Sequence, residues 1–521
     1  MEKKWQNVLT PVFVLSAGIT AIFSILSMMK PQQLSKALTS VQTVFALEYG
    51  WCAMLIPTAC VALLLCLALS SKYGHLIIGG QDAKPEYSLF SWLAMLFTAS
   101  IGIGIVYFGI NEPLYAYFLA PNSTEAASTM LAAKEAMTTA IYHWGISVWG
   151  IFSVAGLVMG YFVFKHNSKY LPGDVLPYAF KGKKWTRPLG HLINILACVC
   201  SAMTIAATMG LGAVQITTGI KDAFEIGEGA ISALPYIILA ILMIVCLFAS
   251  TTKIVGKGMN IIGNVNIYMA IGIMVFAMVF GPTRYIFEQF VQTLGSIVTG
   301  LLPRSFDMFI FAKDPGYSVT WDVSNNMWWI AWTPFMGVFI ASISKGRSLR
   351  SFAFATMTIP VIFMLLWHCT FGGVALLDVI EGSGEVGNLA LTSADKTFFA
   401  LLRTLPFSKL TTLFTVVLLI FFLSTTVTSA ALSLSRMTDR IGKDATPLRC
   451  AVWCVLMSAI ALTGIFATTL GGNAALEGIR SLATTMSYPY LFFFILTTTA
   501  FLRRLKLDEL KNPTPRTEER K

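Results

Sequence analysis

Twelve apolar stretches of about twenty residues, parted by polar links, constrain this chain more than any other feature. They lie near 9–29, 49–70, 88–110, 141–164, 189–220, 232–250, 261–281, 324–344, 352–377, 410–435, 448–470 and 481–502. A bilayer has no water to satisfy open backbone groups, so it enforces helices of about this length. The alternation that marks a membrane barrel strand is missing from these runs. The expected fold is all-α and polytopic, with twelve transmembrane helices in one domain over 1–502 and a charged tail over 503–521. Only 12% of the residues are charged, about half the share in a soluble domain.

The formal charge of +11 raises the question of nucleic acid, and its distribution answers it. An even number of spans puts both termini on one side. If that side is the cytoplasm, 26 of the 37 Lys and Arg fall in inner segments and 11 in outer loops. That bias is the positive-inside rule, so we expect a multi-pass protein of the cell (inner) membrane and no nucleic-acid partner. The basic tail could also touch anionic membrane lipid. The nine cysteines lie in or at the ends of spans, and their spacing gives neither a disulfide framework nor a metal site. Met1–Gln6 is polar and the run behind it is long enough to span, so no cleaved signal peptide is expected. In the outer link 282–323, residues 285–302 read as an amphipathic helix lying on the membrane surface.

The densest local signal is Trp328-Trp329-Ile330-Ala331-Trp332-Thr333-Pro334. On a helix Trp328, Trp329 and Trp332 fall at about 0°, 100° and 40°, one arc. A cage of aromatic faces suits a cation without strong hydrogen-bond donors, such as a quaternary ammonium group. In the fourth span Trp144, Phe152 and Trp149 fall at about 0°, 80° and 140°, on one side. Tryptophan also gathers at membrane interfaces, and a belt or packing role is the alternative for each ring taken singly.

Thr204 and Thr208 sit one helical turn apart, and Thr425 and Thr426 lie inside the tenth span. Hydroxyl oxygens, with carbonyls freed by a broken helix, are ligands for Na⁺. Bonding back to the preceding turn is the plainer reading for either pair. Span three, with Gly102, Gly104 and Gly109 and ending at Pro113, reads as interrupted. Span eight, with Ser324-Asn325-Asn326 before the tryptophans and Pro334 after them, reads so too. Two interrupted helices at matching places point to a secondary transporter with its site at mid-membrane. Glu112 and His368 are ionisable groups within spans, and neither is given a substrate role. No HExxH, GxSxG or phosphate-cradling loop occurs, so an enzyme and an ATP-driven pump are not expected.

Taken together, the segments resemble the betaine/carnitine/choline transporter family over nearly the whole chain. The likeness is most specific at Trp328–Phe335 with Ile343-Ser344-Lys345-Gly346-Arg347-Ser348, at His143–Phe152, and at Ser100–Ile105. Asn326 stands where the family's motif begins with tryptophan, and Phe152 where tyrosine is frequent. The resemblance implies a leucine-transporter-like fold of two inverted five-helix repeats, spans 3–7 and 8–12. It implies a homotrimer built partly on the surface helix. It implies Na⁺-coupled symport of a betaine-like or related sulfonium compound, for osmoprotection, with no cofactor beyond Na⁺ as coupling ion. The alternative is a sodium-independent antiporter exchanging carnitine and a betaine. Trp144, Trp149, Phe152, Trp328, Trp329 and Trp332 would then meet across the substrate site, with backbone at Gly102 and Gly104. Proton-coupled choline carriers of the family tend to have Asp at the place of Gly104. One sodium ion would use Thr204, Thr208 and Phe335, the other Thr98, Ile101, Thr425 and Thr426.

Overall fold

Among the described residues, apolar length became helix length. The computed structural model describes residues 9–119, 129–227, 231–251, 255–308, 310–311, 318–439, 445–471 and 474–511. The polar start Met1–Gln6 and the prolines 513 and 515 of the tail lie outside the described residues. Each expected run coincides with a helix or a bent pair of helices. Among the described residues, nine helices are long and apolar enough to cross a membrane, or ten when one bent pair counts as a span. There is no strand among them; an isolated bridge joins Ile77 and Ser348. The chain is an all-α, multi-pass membrane protein.

In order, α1 (Pro11–Met29) and α2 (Pro31–Leu69) lead to the bent pair α3 (Leu89–Ser100) and α4 (Gly102–Leu119). Then come α5 (Met130–Trp144), α6 (Ile146–His166), α7 (Thr186–Ala223), α8 (Leu234–Thr251), α9 (Val255–Phe280) and α10 (Thr283–Phe306). The second half holds α11 (Ser324–Ile343), α12 (Leu349–Trp367), α13 (Gly373–Glu381), α14 (Glu385–Thr392) and α15 (Thr397–Arg403). It closes with α16 (Ser408–Met437), α17 (Pro447–Gly471) and α18 (Ala474–Lys511). Helices α6 and α11 pack along each other at the centre, as do α7 and α16. Helix α10, expected over 285–302, is longer than that and packs on α5.

The two halves are not interrupted alike. Helices α3 and α4 meet at Ile101 with a bend of 67°. The second piece runs through Pro113 to Leu119 instead of ending at the proline. Span eight, expected to be broken, is the continuous α11 with Pro334 inside it. Proline lacks the N–H that Ile330 O would accept one turn back. The Thr333 hydroxyl donates to that carbonyl at 2.7 Å, so the freed group is satisfied inside the bilayer. Irregularity appears instead just before it, as a π-helical turn Ser318–Val323. The fourth span carries an unforeseen bend at Gly145, where a Cβ would lie 2.4 Å from Ile141 O.

The Ile343–Ser348 stretch clamps the link between α2 and α3. Arg347 Nη2 donates to Tyr87 O at 2.8 Å and to Ser88 O at 3.1 Å, and its guanidinium lies 4.2 Å over the Trp92 ring. Gly346 has φ +83°, and a Cβ there would meet Lys84 backbone at 2.1 Å, so only glycine fits. At the other end of the chain, the charged tail is helical as far as Lys511. Asp508 Oδ2 there accepts from Tyr161 Oη at 2.7 Å, and Asp508 pairs with His166 and Arg504.

Candidate functional site

The site grows from the bend in span three. Three glycines on α4 leave room for rings from other helices. A Cβ on Gly102 would lie 2.4 Å from the Phe422 ring, one on Gly104 2.6 Å from Trp144, and one on Gly109 2.7 Å from Trp367. Gly104 is thus the seat of Trp144, and Gly102 that of Phe422. Their absent side chains set how close α4 comes to α5, α16 and α12.

Helices α5, α6 and α11 supply a connected aromatic cluster. The Trp144 and Trp329 rings meet edge-to-face, with centroids 4.9 Å apart. Phe152 meets Trp329 at 5.7 Å, also edge-to-face. Trp149 continues the chain to Phe152 at 6.2 Å and lies parallel to Phe97 of α3 at 6.4 Å. Phe108 of α4 closes the Trp144 side at 5.5 Å. All four principal rings are buried. On either side of the break at Gly145, Trp144 meets α11 through Trp329, while Trp149 meets α3 through Phe97.

The three tryptophans of α11 divide between two patches. Trp329 makes the ring contacts with Trp144 of α5 and Phe152 of α6. Trp328 and Trp332, four residues apart on one face, pair with each other at 6.3 Å. Trp332 also meets Phe335 at 5.9 Å. Trp329 thus reaches across to α5 and α6, while the Trp328–Trp332–Phe335 ring contacts run along α11 itself. The indole N–H groups of Trp149 and Trp332 are buried without a hydrogen-bond partner among the described residues. Each can donate to an acceptor on a ligand.

Below the cluster lies a polar layer that the sequence did not reveal. Trp144 Nε1 donates to the Glu112 carboxylate, and Trp329 Nε1 donates to the His143 carbonyl at 2.9 Å. The His143 ring lies between Glu112 and Asp322, and Arg304 of α10 donates to Asp322 at 2.6 Å. Glu112 was visible as an ionisable residue within a span. Asp322 and Arg304 both lay in the link 282–323 that read as an outer loop, Arg304 just beyond the expected surface helix 285–302, so nothing marked them as inward-facing. His368, beside Trp144 at 6.3 Å, binds its own helix through Met364 O at 2.7 Å.

The hydroxyl sets differ in how far they are assembled. Thr204 donates to Cys200 O at 2.7 Å and Thr208 to Thr204 O at 3.1 Å. Both bonds run back along α7, which packs against the α11 helix that carries Phe335. Hydroxyl oxygens in this state keep their acceptor lone pairs. The second set joins three helices. Thr426 donates to Thr98 O at 3.3 Å, beside the bend, while Thr425 donates to Phe421 O and accepts from Asn266 Nδ2 at 3.0 Å. Ile101 O takes the N–H of Ile105 at 3.0 Å. Asn266 on α9 was not foreseen, and its Oδ1 is buried with no partner among the described residues. Among the described residues no group of three or more His, Cys, Asp and Glu could hold a metal ion.

The chain is similar to known proteins over nearly its whole length. The description "BCCT, betaine/carnitine/choline family transporter" matches residues 11–510. The high-affinity choline transport protein of Escherichia coli K12 is 29% identical over 507 residues, 96% of this chain and 72% of that protein. A probable glycine betaine transporter of Desulfitobacterium hafniense is 30% identical over 509 residues, 98% of this chain and 99% of that protein. A solved structure of MhsT in complex with L-phenylalanine aligns with TM-score 0.48 and 14% identity, covering 82% of this chain and 98% of that one.

Proposed function

We infer the function from one premise, that this chain belongs to the betaine/carnitine/choline transporter family. It is read as a Na⁺-coupled secondary transporter of a trimethylammonium zwitterion or a related sulfonium compound. It carries its solute by alternating access between two inverted five-helix repeats, with both termini in the cytoplasm. The family membership and the names of the relatives support a small methylated solute.

One observation carries the substrate class: rings from two spans, Trp144 with Phe152 and Trp329, meet in a buried cluster at 4.9 and 5.7 Å. An edge-to-face pair sets the positive rim of one ring on the negative face of another and is worth ~0.5–1.5 kcal/mol. A trimethylammonium group presents the same kind of positive rim, and each of its ring contacts is worth ~0.5–2 kcal/mol. Exchanging one for the other is nearly neutral, so affinity must come from several faces engaged at once. Trp144, Trp149, Phe152 and Trp329 provide those faces. Trp328 and Trp332 form a neighbouring patch on the same helix, and the buried N–H group of Trp149 suits the carboxylate of a zwitterion.

Na⁺ coupling is carried by the Thr98–Thr426 contact at the bend. Sodium bound there would tie α3 to α16, and coupling requires that it bind one transport state better than the other. Thr204, Thr208 and Phe335 are the proposed second ion position. The surface helix α10 is the proposed seat of a homotrimer. Uptake of labelled betaine, carnitine and choline into liposomes, with and without a Na⁺ gradient, tests the reading. Accumulation that requires the gradient is expected. Exchange stimulated from the far side without Na⁺ would replace symport by antiport, and binding without flux would replace transport by sensing.

A further inference from the structure

His143 is the joint of the aromatic site. Its ring Nδ1 faces Glu112 Oε1 and its Nε2 faces Asp322 Oδ1 at 2.7 Å. The other Glu112 oxygen accepts the Trp144 N–H. The His143 main-chain carbonyl accepts the Trp329 N–H at 2.9 Å and Asn325 Nδ2 at 3.3 Å. Both indoles of the Trp144–Trp329 pair therefore hang on this one residue, Trp144 through Glu112 and Trp329 directly. Asp322 is held in turn by Arg304 Nη2 at 2.6 Å, which ties the arrangement to the surface helix α10.

The protons can be counted from the contacts. The side chains of His143 and Asp322 are fully buried and that of Glu112 is 4% exposed. A neutral imidazole has one N–H and one lone pair. Between two ionised carboxylates it would turn that lone pair onto an oxygen, with no solvent between them. One further proton removes the clash, because an imidazolium donates from both nitrogens. The same proton balances the buried charge, with imidazolium and guanidinium against two carboxylates. The groups around the ring are Glu112 from α4, Asp322 from the turn before α11, and Arg304 from α10. Tyr142 lies beside His143 on α5 with the Arg304 guanidinium 5.5 Å over its ring, and His368 lies beyond Trp144.

We propose that His143 is a proton-binding positioning residue whose doubly protonated ring holds Trp144 and Trp329 in register for a quaternary ammonium ligand. Loss of that proton leaves a carboxylate against a lone pair. Asp322 stays tied to Arg304, so Glu112 is the group that shifts, and Trp144 shifts with it. The choice of ligand rests on the transport reading above; the proton site does not.

The test uses the purified full chain in nanodiscs, with tryptophan fluorescence read from about pH 5.5 to about pH 9.5, both sides of an ordinary histidine. Two titrations are run, one of ligand-free protein against pH and one with glycine betaine at each pH. The wild type should show an emission step with pH and a Kd that rises about tenfold or more on its alkaline side. His143→Gln should lose both the step and the pH dependence of Kd. Glu112→Gln keeps an oxygen for Trp144 and offers an N–H to a neutral imidazole, so its Kd should no longer rise with pH. At the alkaline end it should bind more tightly than the wild type. A wild type with no emission step overturns the proposal, as does an alkaline rise that persists in Glu112→Gln. Should His143→Gln fail to fold, the wild type and Glu112→Gln decide it. An emission step present while no glycine betaine, carnitine or choline binds at any pH would sink the transport reading and leave the proton site standing.

Discussion

Replacing Trp329 by leucine separates a substrate cage from ordinary packing. The indole faces Trp144 at 4.9 Å and Phe152 at 5.7 Å, and its N–H meets the His143 carbonyl at 2.9 Å. Loss of one cation–π face worth ~0.5–2 kcal/mol weakens binding by about 2- to 30-fold. The ligand breaks the edge-to-face pair with Trp144 in any case, so losing that ~0.5–1.5 kcal/mol contact offsets part of the effect and keeps it below about 30-fold. Folding suffers as well, because a large ring leaves a buried site; the cost is about 2–4 kcal/mol, short of a full truncation to alanine. The His143 carbonyl keeps a partner in Asn325 Nδ2 at 3.3 Å, so it is not left bare. The assay is equilibrium binding of glycine betaine to protein that elutes as a single species, with Trp329→Phe as a variant that keeps a ring face. Trp332→Leu touches the neighbouring patch, where its ring packs on Trp328 and Phe335, and should change Kd by less than about threefold. Wild-type affinity in Trp329→Leu, or a larger loss in Trp332→Leu, would refute the reasoning.

Other expected outcomes follow from single contacts. Gly104→Ala puts a Cβ 2.6 Å from the Trp144 ring, so Trp144 must move, and betaine Kd should rise about tenfold by the same titration. Thr426→Ala removes the donor to Thr98 O and should raise the Na⁺ concentration for half-maximal uptake several-fold; an unchanged Na⁺ titration would remove Thr426 from the ion position. Gly346→Ala forces a side chain into φ +83° and against Lys84 backbone, which should cost about 1–3 kcal/mol or more and lower Tm, with little change in Kd of the surviving folded protein.

The helices were legible because apolar length in a bilayer leaves the backbone no other choice. Phe152, Trp144 and Trp329 were legible as residue types in suspicious positions. Their partition was not, because a helical wheel treats the neighbours as a uniform surface. It cannot say that Gly104 opens a seat for Trp144, or that α6 rather than α7 lies against Trp329. Pro334 misled for a related reason. Its effect on the helix depends on whether something else satisfies Ile330 O, and the Thr333 hydroxyl does. The layer of Glu112, His143, Asp322 and Arg304 joins residues from four separate stretches. Only the tertiary fold turns Arg304 inward at the end of α10, just past the stretch that reads as amphipathic and superficial, and only then does Asp322 find two partners. The Thr98–Thr426 contact was visible as a pair of candidate oxygens. Asn266, which joins Thr425 from α9, had no local signal at all.

The central claim is that buried rings from α5, α6 and α11 enclose a methylated cation. An electron cryo-microscopy map of the protein with bound glycine betaine tests it most directly. Trimethylammonium density is expected against the faces of Trp144, Phe152 and Trp329, with these rings moved apart to admit it. Betaine density elsewhere, with the Trp144–Trp329 pair still closed at 4.9 Å, would contradict it.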